Sequence, residues 1–560
     1  MCGVVGIYYF DKNNKDLKSQ NYKHKLPKML KEIRHRGDDQ EEFGRLKNSV
    51  QGMSRLSIVS TKKDIIPYTN EDDTISLVYN GEIYNYLDLK SSLKNKHTFK
   101  SNTDTEYILH GYEDYGINII NEFNGMYAFS LFDSNKDELY LVRDKAGEKF
   151  LYYYEDHEKV VYASEIKAIV SILRAEEQHC NSYEMFEACF GQDTLFKNIK
   201  LIEPGQYVKF NFNKKKIVNY WRICDNLIYV KDDIAQIEKD LTELIVDSIE
   251  LRTKNRQYPF GALVSGGIDS GLIAAIAKPD FIYSTTYRGL GKEFSEIEYA
   301  EAIATKIGKK LQIIEPTKED FMKYRNEVAY HLDTPATWTG FNLYMTYEAV
   351  SKDTKIALTG EGVDEMFGGY HRYHLLHHDM QIYNLDALEN YDYLIGKYYG
   401  KPSDRYIKLI NRSEKIFQDK YMDYMKSIVE PSFSFFDKNV IHAMGNVDFY
   451  STLQIILQMA DRMSMAHTVE NRAPFLDHRL MQYAFSMPEK YKIENGITKN
   501  IIKKIAKKFL PESVVERKDK RGFLMPFNLW FPNEGNKYDR TKYKDMVYSD
   551  WKNTFFKGSK

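Results

Sequence analysis

The chain runs to 560 residues, 43% hydrophobic, 14% aromatic and 28% charged, which is a globular composition at a length beyond a single hydrophobic core. Lys plus Arg (79) and Asp plus Glu (80) cancel to a formal charge of −1, so no global field recruits nucleic acid or an anionic membrane. No stretch reaches the roughly 18 apolar residues of a membrane span, and no basic region followed by a long apolar one opens the chain. A cytoplasmic protein with no nucleic-acid and no membrane partner is expected. The oligomeric state, a homodimer included, is left open.

Short apolar and aromatic runs at 4–10, 57–59, 75–79, 127–132, 138–142, 151–154, 160–163 and 206–212 predict strands. Apolar spacing predicts helices over 87–93 and 105–115, making the first 212 residues a layered α+β domain. A lysine-rich bridge, 211–219, interrupts this pattern, so residues 213–232 are read as a linker. From 233 the apolar residues recur at helical spacing behind Asp232 and Asp233, either of which can cap the helix. Strand 260–264, helix 270–277, strand 281–287, helix 296–307, strand 311–314 and strand 355–358 follow. This alternation predicts a parallel sheet with helices on its faces. The remainder of the second domain, 233–532, reads as mostly helical, and 533–560 as a loose polar tail.

Four cysteines, Cys2, Cys180, Cys189 and Cys224, show no C-x-x-C spacing and are too few for a disulfide framework. Cys2 differs from the others. A start methionine followed by a small residue is normally removed, which sets this thiol beside a free α-amine.

The segment Leu263-Val264-Ser265-Gly266-Gly267-Ile268-Asp269-Ser270 lies where a buried strand turns into a helix, a place where unpaired N–H groups meet phosphate. It lacks the lysine of a Walker A loop and the spacing of a dinucleotide turn. Asp269 facing polyphosphate implies an intervening Mg2+. A second strand end carries Thr359-Gly360-Glu361-Gly362-Val363-Asp364-Glu365, where glycines admit a nucleotide and Asp364 can complete a two-carboxylate metal site. Lys499 and Lys520 fall in a basic stretch, 499–521, that supplies cations for a polyphosphate.

With Ser464-Met465-Ala466-His467 and Arg472-Ala473-Pro474-Phe475-Leu476-Asp477, these segments resemble the synthetase half of glutamine-dependent asparagine synthetases. The resemblance implies an α/β PP-loop domain with a helical C-terminal part that adenylates a carboxylate with MgATP. It implies Leu263, Tyr287, Thr359 and Gly360 around the nucleotide, and Ser265, Gly266, Gly267 and Ser270 on pyrophosphate. Asp269 and Asp364 would hold Mg2+. Glu361 would sit near the adenylate and help deprotonate the incoming amine, and Lys499 and Lys520 would neutralise pyrophosphate.

The resemblance extends through Arg34-His35-Arg36-Gly37-Asp38, Arg55-Leu56, Asn80-Gly81-Glu82-Ile83-Tyr84-Asn85, Thr103-Asp104-Thr105-Glu106 and Arg143-Asp144. Together these are similar to a class II glutamine amidotransferase, an N-terminal-nucleophile hydrolase, over residues 2–212. An α-amine of pKa about 7.7 to 8.0 can take the thiol proton and later return it to departing ammonia. Cys2 would attack the glutamine amide, with the Asn80 side chain and Gly81 N–H as oxyanion hole. Arg55 would clamp the α-carboxylate, and Glu82 and Asp104 would read the α-amino end.

The implied reaction joins glutamine, a carboxylic acid and ATP to give glutamate, an amide, AMP and pyrophosphate, with aspartate as the leading acceptor. Competing acceptors are a sugar uronate, a peptide side chain or a secondary-metabolite acid. Glu361-Gly362-Val363-Asp364 is nearer the asparagine synthetase form than the Asp-Gly-Gly-Asp of many sugar-modifying relatives. A cyclising synthetase needs no Cys2, and a silent regulatory relative would have lost a nucleophile or an ATP-site acid. Departures from the family pattern fall at Met53, Ser60, Ile66, residues 334–340 and Asn471.

Overall fold

The computed structural model describes residues 2–58, 65–93, 97–100, 103–212, 214–254, 256–291, 294–382, 401–411, 418–517, 525–532 and 541–556. Twelve strands build the first domain: β1 (Cys2–Tyr9), β2 (Gln40–Leu46), β3 (Ser49–Arg55), β4 (Tyr68–Thr69), β5 (Ile75–Ile83), β6 (Gly125–Asp133), β7 (Glu138–Arg143), β8 (Tyr152–Glu155), β9 (Lys159–Ala163), β10 (Ile199–Leu201), β11 (Gln206–Asn211) and β12 (Lys214–Asn219). They form two six-stranded antiparallel sheets, ordered β10-β8-β9-β1-β3-β2 and β12-β11-β7-β6-β5-β4.

β1 is buried along its whole length. Its alternate side chains serve two cores. Val5, Ile7 and Tyr9 pack on Leu26, Met29 and Leu30 of helix Tyr22–Glu32. Cys2, Val4 and Tyr8 face the other way, into the cluster with Leu77, Tyr79, Phe129 and Leu131 of the second sheet. The two-residue period therefore points Cys2 into the space between the sheets, toward β5. Helix Asp104–Tyr115 covers that second sheet with Tyr107, Ile108, Leu109 and Tyr112.

Three sequence expectations need correction. The strand at 57–59 is absent at 57 and 58, and residue 59 lies outside the described residues. The strand hydrogen-bonded there is β3, which forms a hairpin with β2, and the polar alternation of both hid it. The bridge read as linker carries β12, the edge strand of the second sheet; its lysines are exposed, where they discourage further strand pairing. The tail read as loose contains helix Thr541–Phe555. Tyr543, Val547 and Trp551, spaced by four, form its buried stripe, and Trp551 Nε1 donates to Asp333 O at 3.0 Å.

The second domain opens with helix Ile234–Thr253, capped by Asp233, whose carboxylate accepts from the N–H groups of Ala235 and Gln236. Its sheet comprises β13 (Gly261–Leu263), β14 (Phe281–Thr285), β15 (Leu311–Ile314), β16 (Ile356–Leu358) and β17 (Glu470–Arg472), in the order β15-β14-β13-β16-β17. Every pair is parallel. Chain order reverses direction between β13 and β16, which makes the carboxyl ends of these two strands the ligand crevice of an open α/β sheet.

One apolar cluster runs through both domains, and a buried ionic network pins them. Arg36 donates to both oxygens of Asp461 at 2.9 and 3.0 Å and to Glu165 Oε1 at 2.7 Å. Arg462 Nη1 lies 2.9 Å from the same glutamate oxygen, and Lys167 Nζ lies 2.9 Å from Asp333. Buried charges persist only when paired in this way.

Candidate active sites

In the first domain, Cys2 pairs with Arg55 across β1 and β3, and Gln40 flanks Arg55 from β2. Gly37 permits this packing, since a Cβ there would fall 2.3 Å from the Arg55 carbonyl carbon. The Cys2 backbone N–H donates to Asn80 Oδ1 at 2.9 Å. Asn80 is fully buried, and its Nδ2 has no hydrogen-bond partner. A buried amide donor left without an acceptor costs free energy unless a ligand meets it. At Gly81 a Cβ would stand 2.1 Å from Met126 O, so only glycine lets β5 and β6 close at this point.

Asp104 opens its helix and accepts from Tyr79 OH at 2.6 Å and from Ile83 N–H at 2.9 Å. Burial pushes its carboxyl up, against those two hydrogen bonds. Burial and the charge of Asp104 push Glu82 well above the carboxyl range, and Arg472, 4.0 Å away, opposes this. Burial likewise pushes the Cys2 thiol up, while the Leu56 N–H and Arg55 pull it down. The structure thus brings together Cys2, Arg55, Asn80, Gly81, Glu82 and Asp104. Met53 and Ile66 are buried nearby in the core, and Ser60 lies outside the described residues.

Sequence reasoning gave no role to Glu470. Burial pushes its carboxyl up, yet Arg472 and Lys149 hold it down to about 2. Its charge in turn raises the Cys2 thiol, so an acid on a second-domain strand lies near the start of the first domain. Arg36 was quoted only as part of a motif, yet its Nε donates to Cys2 O at 3.1 Å while its other nitrogens hold Asp461, so one side chain ties the thiol strand to helix Thr452–Ala466.

In the second domain, Ser265 N–H donates to Ser270 Oγ at 3.1 Å, folding the loop back on the first turn of helix Ile268–Ala277. Gly266 has φ +90°, and a Cβ there would meet Glu296 O at 2.8 Å. Gly267 caps the helix. Gly360 abuts this turn, with its Cβ position 3.0 Å from Ser270 N. Gly362, at φ +93°, begins helix Val363–Phe367, which carries Asp364.

Lys499 bridges the two loops, with Nζ 2.6 Å from Asp269 Oδ2 and 2.6 Å from Asp364 Oδ1. Its backbone is left-handed, φ +52°, a cost of order 1 kcal/mol or more borne where geometry demands it. Asp269 Oδ1 is buried without a partner. Glu361 Oε2 is also buried and unpaired, and burial raises that carboxyl, with the polar groups of Thr359 and Asn471 opposing the shift. Asn471 Oδ1 in turn accepts from Thr359 Oγ1 and Tyr347 OH, both at 2.9 Å. This departure from the family pattern thus ties Thr359 to helix Trp338–Val350.

Leu263 and Tyr287 lie in the apolar cluster flanking the loops, Tyr287 against Trp530 at 5.7 Å between ring centroids. Lys520 lies outside the described residues. From the same basic stretch, Arg517 reaches the site, donating to Gly266 O at 3.1 Å. The net positive run was the legible signal; which cation reaches the loop depends on helix packing. Of the departing loop 334–340, Thr334, Pro335 and Thr337 line a cavity between the domains with Tyr152, Ile166 and Met459.

A buried thiol on a strand end beside an orphaned amide donor, and a lysine bridging two acids at a parallel-sheet switch point, define a two-site amidotransferase-type enzyme. The comparisons agree with that class. The asparagine synthase family model matches residues 240–555 and the glutamine amidotransferase domain model residues 1–221. Asparagine synthetase [glutamine-hydrolyzing] 1 of Bacillus subtilis is 30% identical, across 96% of this chain and 89% of that one. Asparagine synthetase [glutamine-hydrolyzing] 2 of the same organism is 27% identical across 90% and 69%. Among solved structures, a glutamine phosphoribosylpyrophosphate amidotransferase of B. subtilis is 14% identical, covering 65% of this chain and 77% of that one, at a TM-score of 0.29. The chain belongs to the asparagine synthase family and is a ligase of the glutamine-hydrolysing kind. Its two halves are a glutamine amidotransferase domain of two antiparallel sheets and an asparagine synthase domain built on a parallel sheet with helices. Among the described residues no helix is long and apolar enough to cross a membrane.

Proposed function

We propose that the protein converts aspartate to asparagine with glutamine as nitrogen source, through an acyl-adenylate formed from ATP. One observation carries the reading: a single chain holds a buried Cys2 beside the unpaired Asn80 amide, and a lysine bridged between two acids at the switch point of a parallel sheet.

Removal of Met1 exposes the Cys2 amine, which takes the thiol proton. The sulfur attacks the glutamine carboxamide carbon, and the oxyanion is received by Asn80 Nδ2 and the Gly81 N–H. Losing one such donor typically costs about 3 to 4 kcal/mol of transition-state stabilisation. Arg55 binds the α-carboxylate, and Glu82 and Asp104 bind the α-ammonium. Collapse expels ammonia, which carries away the proton held by the amine, and water then cleaves the thioester to glutamate.

In the second site the aspartate side-chain carboxylate attacks the α-phosphorus of ATP and pyrophosphate leaves, its charge met by Lys499, Lys520 and the loop from Ser265 to Ser270. Ammonia attacks the adenylate carbonyl and AMP departs, with Glu361 accepting a proton from the incoming nitrogen. The donor set suits Mg2+: an ammonium already stands between Asp269 and Asp364, and a buried carboxylate oxygen of Asp269 lacks a partner. Those two acids would hold the ion, which would supply neutralisation of the triphosphate. A cytoplasmic setting provides both ATP and glutamine.

A panel of acceptor acids scored by pyrophosphate release tests the assignment. Release answering to aspartate, with glutamine-dependent glutamate release abolished in Cys2→Ala, is expected. Release that ignores aspartate but follows a uronate or peptide acid overturns the substrate, and an intact Met1 in the active protein overturns the amine mechanism.

A further inference from the structure

Away from both sites, four side chains of the first domain converge. Glu71 lies in the turn between β4 and β5, His97 precedes helix Asp104–Tyr115, and His110 and Glu113 share one face of that helix. Each offers one ligand atom, and all four atoms lie within 4.8 Å of one another. His110 Nδ1 is 2.8 Å from Glu113 Oε2 and 3.6 Å from Glu71 Oε2. His97 Nδ1 is 3.5 Å from Glu113 Oε2 and 3.7 Å from Glu71 Oε1. The imidazoles stack at 4.6 Å and 20°, which aims both Nδ1 atoms at the same pair of carboxylates.

Neighbouring donors hold the two glutamates in place. Thr98 N–H donates to Glu71 Oε1 at 3.0 Å, and Asn70 Nδ2 donates to Glu113 Oε1 at 2.8 Å. Asp114 Oδ1 lies 3.4 Å from His97 Nε2, on the side of that ring away from the two glutamates. The Phe99 ring meets His110 edge-on at 4.8 Å, and His110 is 2% exposed. Two stacked imidazolium rings would repel one another. Three carboxylates, Glu71, Glu113 and Asp114, surround the two imidazoles, a concentration of negative charge that a divalent ion offsets. Ligands about 2.0 to 2.1 Å from a tetrahedral ion sit about 3.4 Å apart, a spacing the four observed separations bracket.

We propose that Glu71, His97, His110 and Glu113 form a binding site for a divalent transition-metal ion of the Zn2+ class. The imidazole nitrogens select such an ion over Mg2+ or Ca2+. It would fasten the turn at 70–74 and the loop at 97–100 to helix Asp104–Tyr115, as a structural clasp.

The test uses the full-length chain, stripped with a chelator and titrated with Co2+ in excess Mg2+. The expected result is a visible d–d spectrum saturating at one equivalent, bleached by Zn2+, with a rise in Tm on loading. His97→Gln and Glu71→Gln, each on a partly exposed side chain, should lose the spectrum and the Tm rise while keeping the Tm and circular dichroism of the stripped wild type. Three outcomes overturn the proposal: no saturating spectrum in the wild type, an unchanged spectrum in both variants, or an intense sulfur charge-transfer band placing the ion on cysteine.

Discussion

Glu365 shows how one buried carboxyl couples proton binding to folding. It is 1% exposed, accepts from Tyr370 OH at 2.6 Å, and sits beside Asp364 and Asp448. Burial, then the charge of Asp364, pushes it up to about 8. The folded chain therefore keeps a proton that the unfolded chain releases near the ordinary carboxyl value. Stability from this group is complete below that value and is lost as pH rises toward about 8. Glu365→Gln should remove this dependence, making the variant the more stable one at pH 8 by on the order of a few kcal/mol. Denaturant melts at several pH values between about 5 and 8 check it, and parallel slopes for variant and wild type would refute it. At this scale the sequence picked out Cys2 and Asp269 as candidates, because a thiol at a chain start and an acid in a glycine turn are recognisable by type and setting. It did not show Asn471 accepting from Thr359 and Tyr347, because that contact joins residues from separate elements.

At the scale of elements, both sites depend on backbones that approach more closely than a side chain allows. A Cβ at Gly369 would fall 1.9 Å from Asp364 Oδ1 and 2.0 Å from Lys499 Cε, so this glycine makes room for the lysine to bridge the acids. Gly369→Ala should displace Lys499 and lower pyrophosphate release about 100-fold, as misplacement near 1 Å does, while glutamate release from glutamine proceeds unchanged. An equal fall in both activities would show instead that the substitution disturbs the whole fold. The strands and helices leading into these turns were legible where apolar periodicity was strong: 311–314 is β15, and 105–115 lies within helix Asp104–Tyr115. They were illegible where pairing alone made the strand, as in the polar β2–β3 hairpin and the lysine-rich β12. The helix at 541–555 escaped notice because its buried stripe is only one residue in four.

At the scale of the whole molecule, the two sites are joined by buried charge. Arg36 holds the Cys2 carbonyl with one nitrogen and Asp461 with two others, and Glu165, Arg462, Lys167 and Asp333 complete the network. Removing one partner of such a pair costs about 3 to 5 kcal/mol because a charge is left buried alone. Asp461→Asn should lower the Tm and release glutamate in excess of pyrophosphate, since the thiol strand is no longer tied to the second domain. Assay of both products in one reaction measures this, and an unchanged ratio would refute the coupling.

By itself the sequence determined the succession of an amidotransferase half and a synthetase half and the parallel sheet, and it pointed to Cys2 and to the loops at 265–270 and 359–365, since each is written in local periodicity or in contiguous residues. Only the tertiary structure decided that Arg36 faces Asp461, that Lys499 rather than solvent stands between Asp269 and Asp364, and that Glu71 and Glu113 meet two histidines. Those contacts join positions tens to hundreds of residues apart, and such proximity follows from which faces the sheets and helices bury against one another, which no local pattern encodes.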